Sequence, residues 1–293
     1  IAHCINLMRR VVEKSNAAHN RVWDKSSEGC YEVRGKTLGI VGYGHIGSQV
    51  SVLAETLGMH VAFYDIEPKL SLGNARPVRS LDELLKQSDI VTLHVPETAA
   101  TKDLMNAQRL AKLKRGACLI NYSRGNVVDL NALRKCIAKG NIAGAAVDVF
   151  PVEPKTNRDA FETPLQGLSN VILTPHIGGS TVEAQENIGL DVTGKIIQYL
   201  ETGSSTGSLS VPALSLPVQH DTHRLLHIHA NRPGVLGEIN SKLSKLKVNI
   251  LGQYLQTNTE IGYVVTDCDR KTSGKALEEL QKVKHTIRVR NLY

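Results

Sequence analysis

The chain has 293 residues, 41% of them apolar and 22% charged, an ordinary balance for a soluble globular protein and enough chain for about two domains. Its net charge of +7 comes from dispersed basic residues, and the densest patch, KLKRG at 112–116, has no interleaved aromatics, which disfavours nucleic acid as a partner. No apolar run approaches the roughly 18 residues of a membrane span. The five cysteines, Cys4, Cys30, Cys118, Cys136 and Cys268, form no C-x-x-C pair, which argues against zinc and disulfides and for a reduced, cytoplasmic setting.

IAHCINLMRRVVEKSNAAHNRVWDK reads as one amphipathic helix with Ile5, Met8, Val11 and Val12 on one face. It begins without a cap, and neither an initiator Met nor a signal-peptide pattern precedes it, so an upstream segment is expected. Trp23, the single tryptophan, sits in a basic arm and reads as the anchor of a subunit contact, with a core position as the alternative.

From 37 to 176 short apolar runs alternate with amphipathic stretches. The strands are TLGIVG, HVAFYD, IVTLHV, CLINYS, AAVDVF and VILTPH; the helices are expected at 46–57, 80–87, 102–113 and 129–139. Continuously apolar strands alternating with helices predict a parallel sheet covered on both faces, an α/β doubly wound Rossmann domain over 1–180. A helix should follow from 181, ended by Gly203. SSTGSLSVPALSLPVQHD then reads as an irregular, largely extended linker and boundary, so that 181–222 holds a return helix and linker. From 223 to 293, RLLHIHA, RPGVLGEINSKLSKL, NILGQYLQT, GYVVTDC, GKALEELQKV and TIRVRNL follow the order βαββαβ, a small ferredoxin-like domain.

The first strand runs into GYGHIG, with Gly42, Gly44 and Gly47 in dinucleotide-binding spacing. The first glycine permits a tight turn, the second lets a pyrophosphate approach the backbone, and the third lets the helix pack on the strand. The free N–H groups of the helix start face the phosphates. Asp65, 18 residues after Gly47 and at the end of the next strand, is placed to accept hydrogen bonds from the adenosine ribose. Its charge would repel a 2′-phosphate, so NAD is favoured over NADP.

Three polar residues stand at or just past strand ends: Arg124 after LINYS, Glu153 after DVFP, and His176 after LTP. Ligands of open parallel sheets bind at the carboxyl ends of the strands. Each residue has a plainer reading. Arg124 could cap a turn or pair with Asp129, Glu153 could be a solvated loop acid, and His176 could simply end a strand. Their joint occurrence, in that order on one sheet, favours chemistry. Oxidation of C–OH to C=O needs a base for the hydroxyl proton, and histidine titrates near neutrality. A carboxylate such as Glu153 raises a histidine's pKa and orients its ring. A guanidinium fork such as Arg124 binds a carboxylate at two points.

GKTLGIVGYGHIG, LHVPETAATKDLM, INYSRGNVVD, AGAAVDVFPVEP and NVILTPHIGGST together resemble the successive motifs of the D-2-hydroxyacid dehydrogenases. The resemblance implies that Arg124, Glu153 and His176 form the catalytic set. It also implies NAD contacts at His45, Ile46, Asp65, Val95, Pro96, Tyr122, Ser123, Arg124, Asp148, His176, Ile177, Gly178 and Gly179, besides the three motif glycines. Two positions depart from the family pattern. Tyr122 stands where a small residue is usual, and Asn126 where threonine is usual; a tyrosine there could crowd the pocket or turn away from it. The family also carries a further segment upstream that forms most of its substrate domain. Another 2-hydroxyacid reductase and a non-catalytic NAD-binding protein are the competing readings.

The C-terminal unit, with HIHANRPGVL, resembles the ACT regulatory domain. HANRPGVL reads as the start of a helix with Pro233 in its first turn and Asn231 just before it. The resemblance implies effector contacts at His229, Asn231 and Asn249, with L-serine as effector, against the alternative of a plain dimerisation module with Asn231 as helix cap. It further implies a phosphorylated 2-hydroxy acid as substrate and a homo-oligomer, dimers paired into a tetramer. No metal is implied.

Overall fold

The computed structural model describes residues 1–219, 221–270 and 275–292. They form two compact units, Ile1–Ser180 and Thr181–Tyr293.

The first unit opens with two helices, α1 (Ala2–Arg9) and α2 (Val11–His19), where the sequence pattern predicts one. The chain breaks at Arg10, whose φ of 53° is left-handed. The break restarts the helical period and changes the buried face. Cys4, Leu7 and Met8 are buried, whereas Ile5, Val11 and Val12 of the expected face are exposed. Trp23 is also exposed, at 87%, so it is not a core residue of this chain.

Then follow β1 (Thr37–Val41), α3 (His45–Thr56), β2 (His60–Tyr64), β3 (Arg76–Pro77), α4 (Leu81–Gln87), β4 (Ile90–Leu93), α5 (Ala107–Leu110), β5 (Ala117–Asn121), α6 (Leu130–Ala138), β6 (Ile142–Val147) and β7 (Val171–Leu173). The strands form one sheet in the order β3-β2-β1-β4-β5-β6-β7. Every pairing is parallel. The chain reverses direction across the sheet between β1 and β4, the switch point at which doubly wound folds bind ligands.

β4 and β5 are buried along their whole length. Their side chains alternate between two apolar clusters, Leu93 and Leu119 on one face of the sheet, Ile90 and Ile120 on the other. At about 1.5–3 kcal/mol for each large apolar side chain, that two-sided burial is the main term holding the unit together.

The helix expected over 102–113 shrinks to the short α5. The backbone N–H groups of Asp103 and Met105 donate instead to the carbonyls of Asn126 and Val127. A helix can start only after that exchange, at Asn106, whose side chain accepts from the Arg109 N–H.

The second unit begins with α7 (Val182–Thr202). Thr181 caps it by accepting from the Ala184 N–H, and Gly203 ends it in the left-handed region with its N–H on the Tyr199 carbonyl. β8 (Thr222–Ala230), α8 (Val235–Lys245), β9 (Ile250–Thr257), β10 (Ile261–Asp269), α9 (Ala276–Gln281) and β11 (Thr286–Asn291) complete it. The predicted start of the second helix at Gly274 lies outside the described residues, as does His220 of the predicted linker. The sheet order is β11-β8-β10-β9, all antiparallel. Leu225 and Val264 face α8 and α9, while Leu226, Tyr263 and Val265 face away from them toward Leu216 and Tyr199.

The segment after Gly203 is irregular but not loose. Ser204 Oγ accepts from the Leu216 N–H and Ser205 Oγ from the Leu214 N–H, and both serines are buried. Serine, glycine and proline signal the absence of regular structure, which is a different thing from the absence of order. Arg224 locks this segment in place. Fully buried, it pairs with Asp267 through Nε and Nη2 at 2.6 and 2.7 Å, and its Nη1 donates to the carbonyls of Thr202 and Pro217.

Removing one partner of such a pair strands a buried charge. Arg224→Ala should therefore destabilise the second unit by about 3–5 kcal/mol in urea unfolding. Arg224→Met combined with Asp267→Leu should recover part of that loss.

Candidate active site

At the switch point the three glycines carry three separate constraints. Gly42 has φ of 90°, and a side chain there would collide with the His94 carbonyl. A β-carbon on Gly47 would collide with the Gly42 carbonyl, so glycine sets how closely α3 approaches β1. Gly44 is different: a β-carbon would meet nothing within 4 Å. It is the N-cap residue of α3, so open ground lies above a helix start whose first N–H groups have no helical acceptors.

Between them Tyr43 turns inward and stacks on Phe63 with centroids 3.8 Å apart. Its N–H donates to Asp65 Oδ2 at 2.7 Å, and the Glu67 N–H donates to Oδ1. The carboxylate at the end of β2 is thus fixed beside the glycine turn. His45 and Ile46 are exposed on the first turn of α3, while Val95, half-buried, and Pro96, exposed, follow β4 across the switch. These groups suit a dinucleotide: N–H donors for a pyrophosphate, an acid for the ribose, and room at Gly44 for the backbone to be approached.

Beyond β5, the buried Asn121 shapes the turn into Arg124. Its Oδ1 accepts from the Ser123 N–H and hydroxyl, and its Nδ2 donates to the Arg124 carbonyl. Ser123 is buried by this; Arg124 is exposed, with Nη1 on the Ser123 carbonyl at 2.6 Å. Asp129, the alternative partner for Arg124, caps α6 by accepting from the Ala132 N–H. A β-carbon on Gly125 would collide with the backbone of Phe150, which is how closely the β5 and β6 loops approach.

Glu153 and His176 meet. His176 Nδ1 lies 2.9 Å from Glu153 Oε2, and Glu153 Oε1 accepts from the Phe150 N–H at 3.0 Å. A cleft of about 380 Å³ lies against this pair, lined by Phe150, Phe161 and Pro175 among others. Burial alone would raise the Glu153 carboxyl, but the hydrogen bonds from His176 and Phe150 outweigh it and hold the group below its usual range. With the Nδ1 proton directed at the carboxylate, the lone pair of the ring is on Nε2, on a side chain 53% exposed.

Asp148 sits beneath this loop, 1% exposed. Its Oδ1 accepts from the Thr174 hydroxyl at 2.5 Å and from the Ile177 N–H at 2.9 Å; its Oδ2 accepts from the Gly178 N–H at 2.9 Å. Both oxygens therefore shape the loop that presents His176. Ile177, Gly178 and Gly179 are exposed. Tyr122 is half-buried, with its hydroxyl 2.9 Å from Thr174 Oγ1 and 2.7 Å from His3 Nε2. Asn126 donates to Glu97 Oε1 at 2.6 Å. Sequence reasoning missed Thr174 and Asn121 as organisers. The signal available was a hydroxyl and an amide at the ends of apolar strands, where buried polar groups need partners.

The effector positions of the second unit do not come together within one copy. His229 is 3% exposed, with Nδ1 on the Ala230 carbonyl and Nε2 buried without a partner among the described residues. Asn231 donates to the Asn258 carbonyl. It does not cap α8, which starts from Gly234, and Pro233 precedes the helix instead of occupying its first turn. Asn249 lies at the opposite end of the sheet, where its carbonyl accepts from the Asp269 N–H. Ala230 pairs with Ile261 but Thr222 with Asp269, so the two ends are roughly 25 Å apart along the strands.

Residues 1–178 match the family model of the D-isomer specific 2-hydroxyacid dehydrogenase NAD binding domain, and residues 225–288 match an AHAS small subunit-like ACT domain. The chain belongs to the D-isomer specific 2-hydroxyacid dehydrogenase family and is an NAD-dependent dehydrogenase. It is 55% identical to the D-3-phosphoglycerate dehydrogenase of Haemophilus influenzae over 98% of this chain and 70% of that protein. With the Escherichia coli K12 enzyme of the same name it shares 52% identity over 100% of this chain and 72% of that protein. Among solved structures it is similar to an NAD-complexed D-isomer specific 2-hydroxyacid dehydrogenase of Lactobacillus delbrueckii ssp. bulgaricus. The TM-score is 0.62 at 28% identity, over 67% of this chain and 63% of that one. A D-lactate dehydrogenase of Aquifex aeolicus with NAD and lactic acid gives 0.60 at 31%, over 68% and 64%.

Because Glu153 titrates lower in the folded protein than in the unfolded chain, its pairing is complete at neutral pH and is lost as pH falls through that lowered value. A carbon-detected NMR titration should place the Glu153 midpoint below that of a free glutamate. In His176→Ala the midpoint should rise; an unmoved midpoint would refute the coupling.

Proposed function

We propose that this chain oxidises D-3-phosphoglycerate to 3-phosphohydroxypyruvate, the first step of L-serine synthesis, and is restrained by L-serine at its ACT unit. The observation that carries this reading is similarity through both units to D-3-phosphoglycerate dehydrogenases, joined to a paired His176 and Glu153 at the strand ends.

In this reading His176 Nε2 takes the proton of the C2 hydroxyl as the carbonyl forms, and returns it in reduction. Glu153, holding Nδ1, keeps the ring in the tautomer that leaves Nε2 basic and stabilises the ring once protonated. Arg124 binds the substrate carboxylate and polarises the oxygen at C2. Bound NAD supplies the hydride acceptor. The motif glycines and the α3 start would hold its pyrophosphate, Asp65 its ribose, and Gly178 and Gly179 would leave room at its nicotinamide end. The cytoplasm is the compartment proposed; no helix among the described residues is long and apolar enough to cross a membrane.

The effector reading requires two copies. A two-fold axis that sets the sheets antiparallel would bring His229 and Asn231 of one copy to Asn249 of the other, so the proposed assembly is at least a dimer.

His176→Ala should lower turnover by about 10²–10⁴-fold, with NAD binding by calorimetry close to that of the wild type; turnover within a few-fold of wild type would refute the role of the base. Millimolar L-serine should slow amide exchange near 229–231 and 249. Unchanged exchange there would favour a plain dimerisation module.

A further inference from the structure

The surroundings of Tyr122 give its hydroxyl a use. Four side chains from four separate segments form one hydrogen-bonded chain: His3 Nε2 to Tyr122 Oη at 2.7 Å, Tyr122 Oη to Thr174 Oγ1 at 2.9 Å, and Thr174 Oγ1 to Asp148 Oδ1 at 2.5 Å. The direction of the chain follows from counting protons. An ionised carboxylate only accepts, so the single Thr174 proton goes to Asp148. Thr174 then accepts from Tyr122, whose only proton is thereby used, and Tyr122 must accept from His3. The His3 ring therefore carries its proton on Nε2. Its Nδ1 is buried without a partner among the described residues, as suits a neutral ring, and burial lowers the pKa of His3.

The far end of the chain is the loop of the proposed base. The same Asp148 carboxylate accepts from the N–H groups of Ile177 and Gly178, the residues directly after His176. His176 itself has φ of 53°, a left-handed conformation uncommon for a residue with a side chain. A loop in that conformation persists only where its surroundings over-determine it. The Tyr122 ring adds contact: its Cδ1 lies 3.2 Å from where a β-carbon of Gly178 would stand.

We propose that Tyr122 and His3 are positioning residues for the reaction. Through Thr174 and Asp148 they hold residues 174–178 in the one conformation that turns His176 onto Glu153, coupling α1 to the catalytic loop. The role rests on His176 being the base; the loop measurement below does not.

Tyr122→Phe keeps the ring and removes the hydroxyl. Hydrogen exchange in the cofactor-free chain should quicken at Ile177 and Gly178 by about fivefold, the worth of one net hydrogen bond, while the central strands β4 and β5 exchange as in the wild type. With NAD and D-3-phosphoglycerate, kcat should fall by a similar factor. His3→Ala should act in the same direction, His3→Gln, which keeps a donor, should restore the wild-type values, and the double variant Tyr122→Phe with His3→Ala should be no worse than Tyr122→Phe alone. Wild-type loop exchange in Tyr122→Phe would overturn the proposal, as would a uniform acceleration of the whole unit or additive effects in the double variant. Faster loop exchange with no change in kcat would overturn the link to the reaction, leaving the assignment of His176 to its own alanine test.

Discussion

A single buried carboxylate governs the active end of this molecule. Asp148 accepts three hydrogen bonds, all from the loop that follows β7. The loop carries exposed residues and a left-handed His176, and has few apolar contacts of its own to define it. Without that anchor the histidine would sample many directions, and its 2.9 Å approach to Glu153 would be one geometry among several. In the proposed reaction, orientation of this kind would be a large part of what the protein adds to the proton transfer.

The anchor works because the sheet delivers it. β6 runs parallel to β5 on one side and β7 on the other, so Asn121, Asp148 and Thr174 emerge at the same edge at neighbouring positions. Each is a polar group at the end of an apolar strand, and each is satisfied there: Asn121 by its own turn, Asp148 by the loop after β7, and Thr174 by Asp148 and Tyr122. Close contact between the loops follows from the same arrangement, and it explains glycine at Gly125. The glycine turn after β1 obeys the same logic at the other end of the cleft. Parallel pairing thus does two jobs at once: it buries the strands on both faces and lines their carboxyl ends up as a site.

Much of this is legible in the sequence, because strand periodicity and glycine spacing are local properties. Six of the seven strands of the parallel sheet, the helix after GYGHIG, the Gly203 terminus and the βαββαβ order can all be read from it. What could not be read depends on partners distant in the chain. The break at Arg10 exposes Val11 and Val12 although the helical pattern runs through them. The helix expected over 102–113 gives way to hydrogen bonds with Asn126 and Val127, which no local window contains. β3, two residues long and at the edge, is too short to show a period. The meeting of His176 with Glu153 follows from their positions at strand ends, but the chain from His3 to Asp148 joins residues 119 and 52 positions apart at Tyr122.

The separation of His229 and Asn231 from Asn249 carries a thermodynamic consequence for the effector reading. A ligand that touches both ends of the sheet can do so only by bridging two copies, so it binds the pair and not the single chain. Linkage then requires reciprocity: whatever factor the ligand adds to association, association adds to the affinity for the ligand. The response to the effector would depend on how much of the protein is present, and dilution alone would desensitise it. A sheet nine residues long would in this way make the control of the enzyme a property of its concentration.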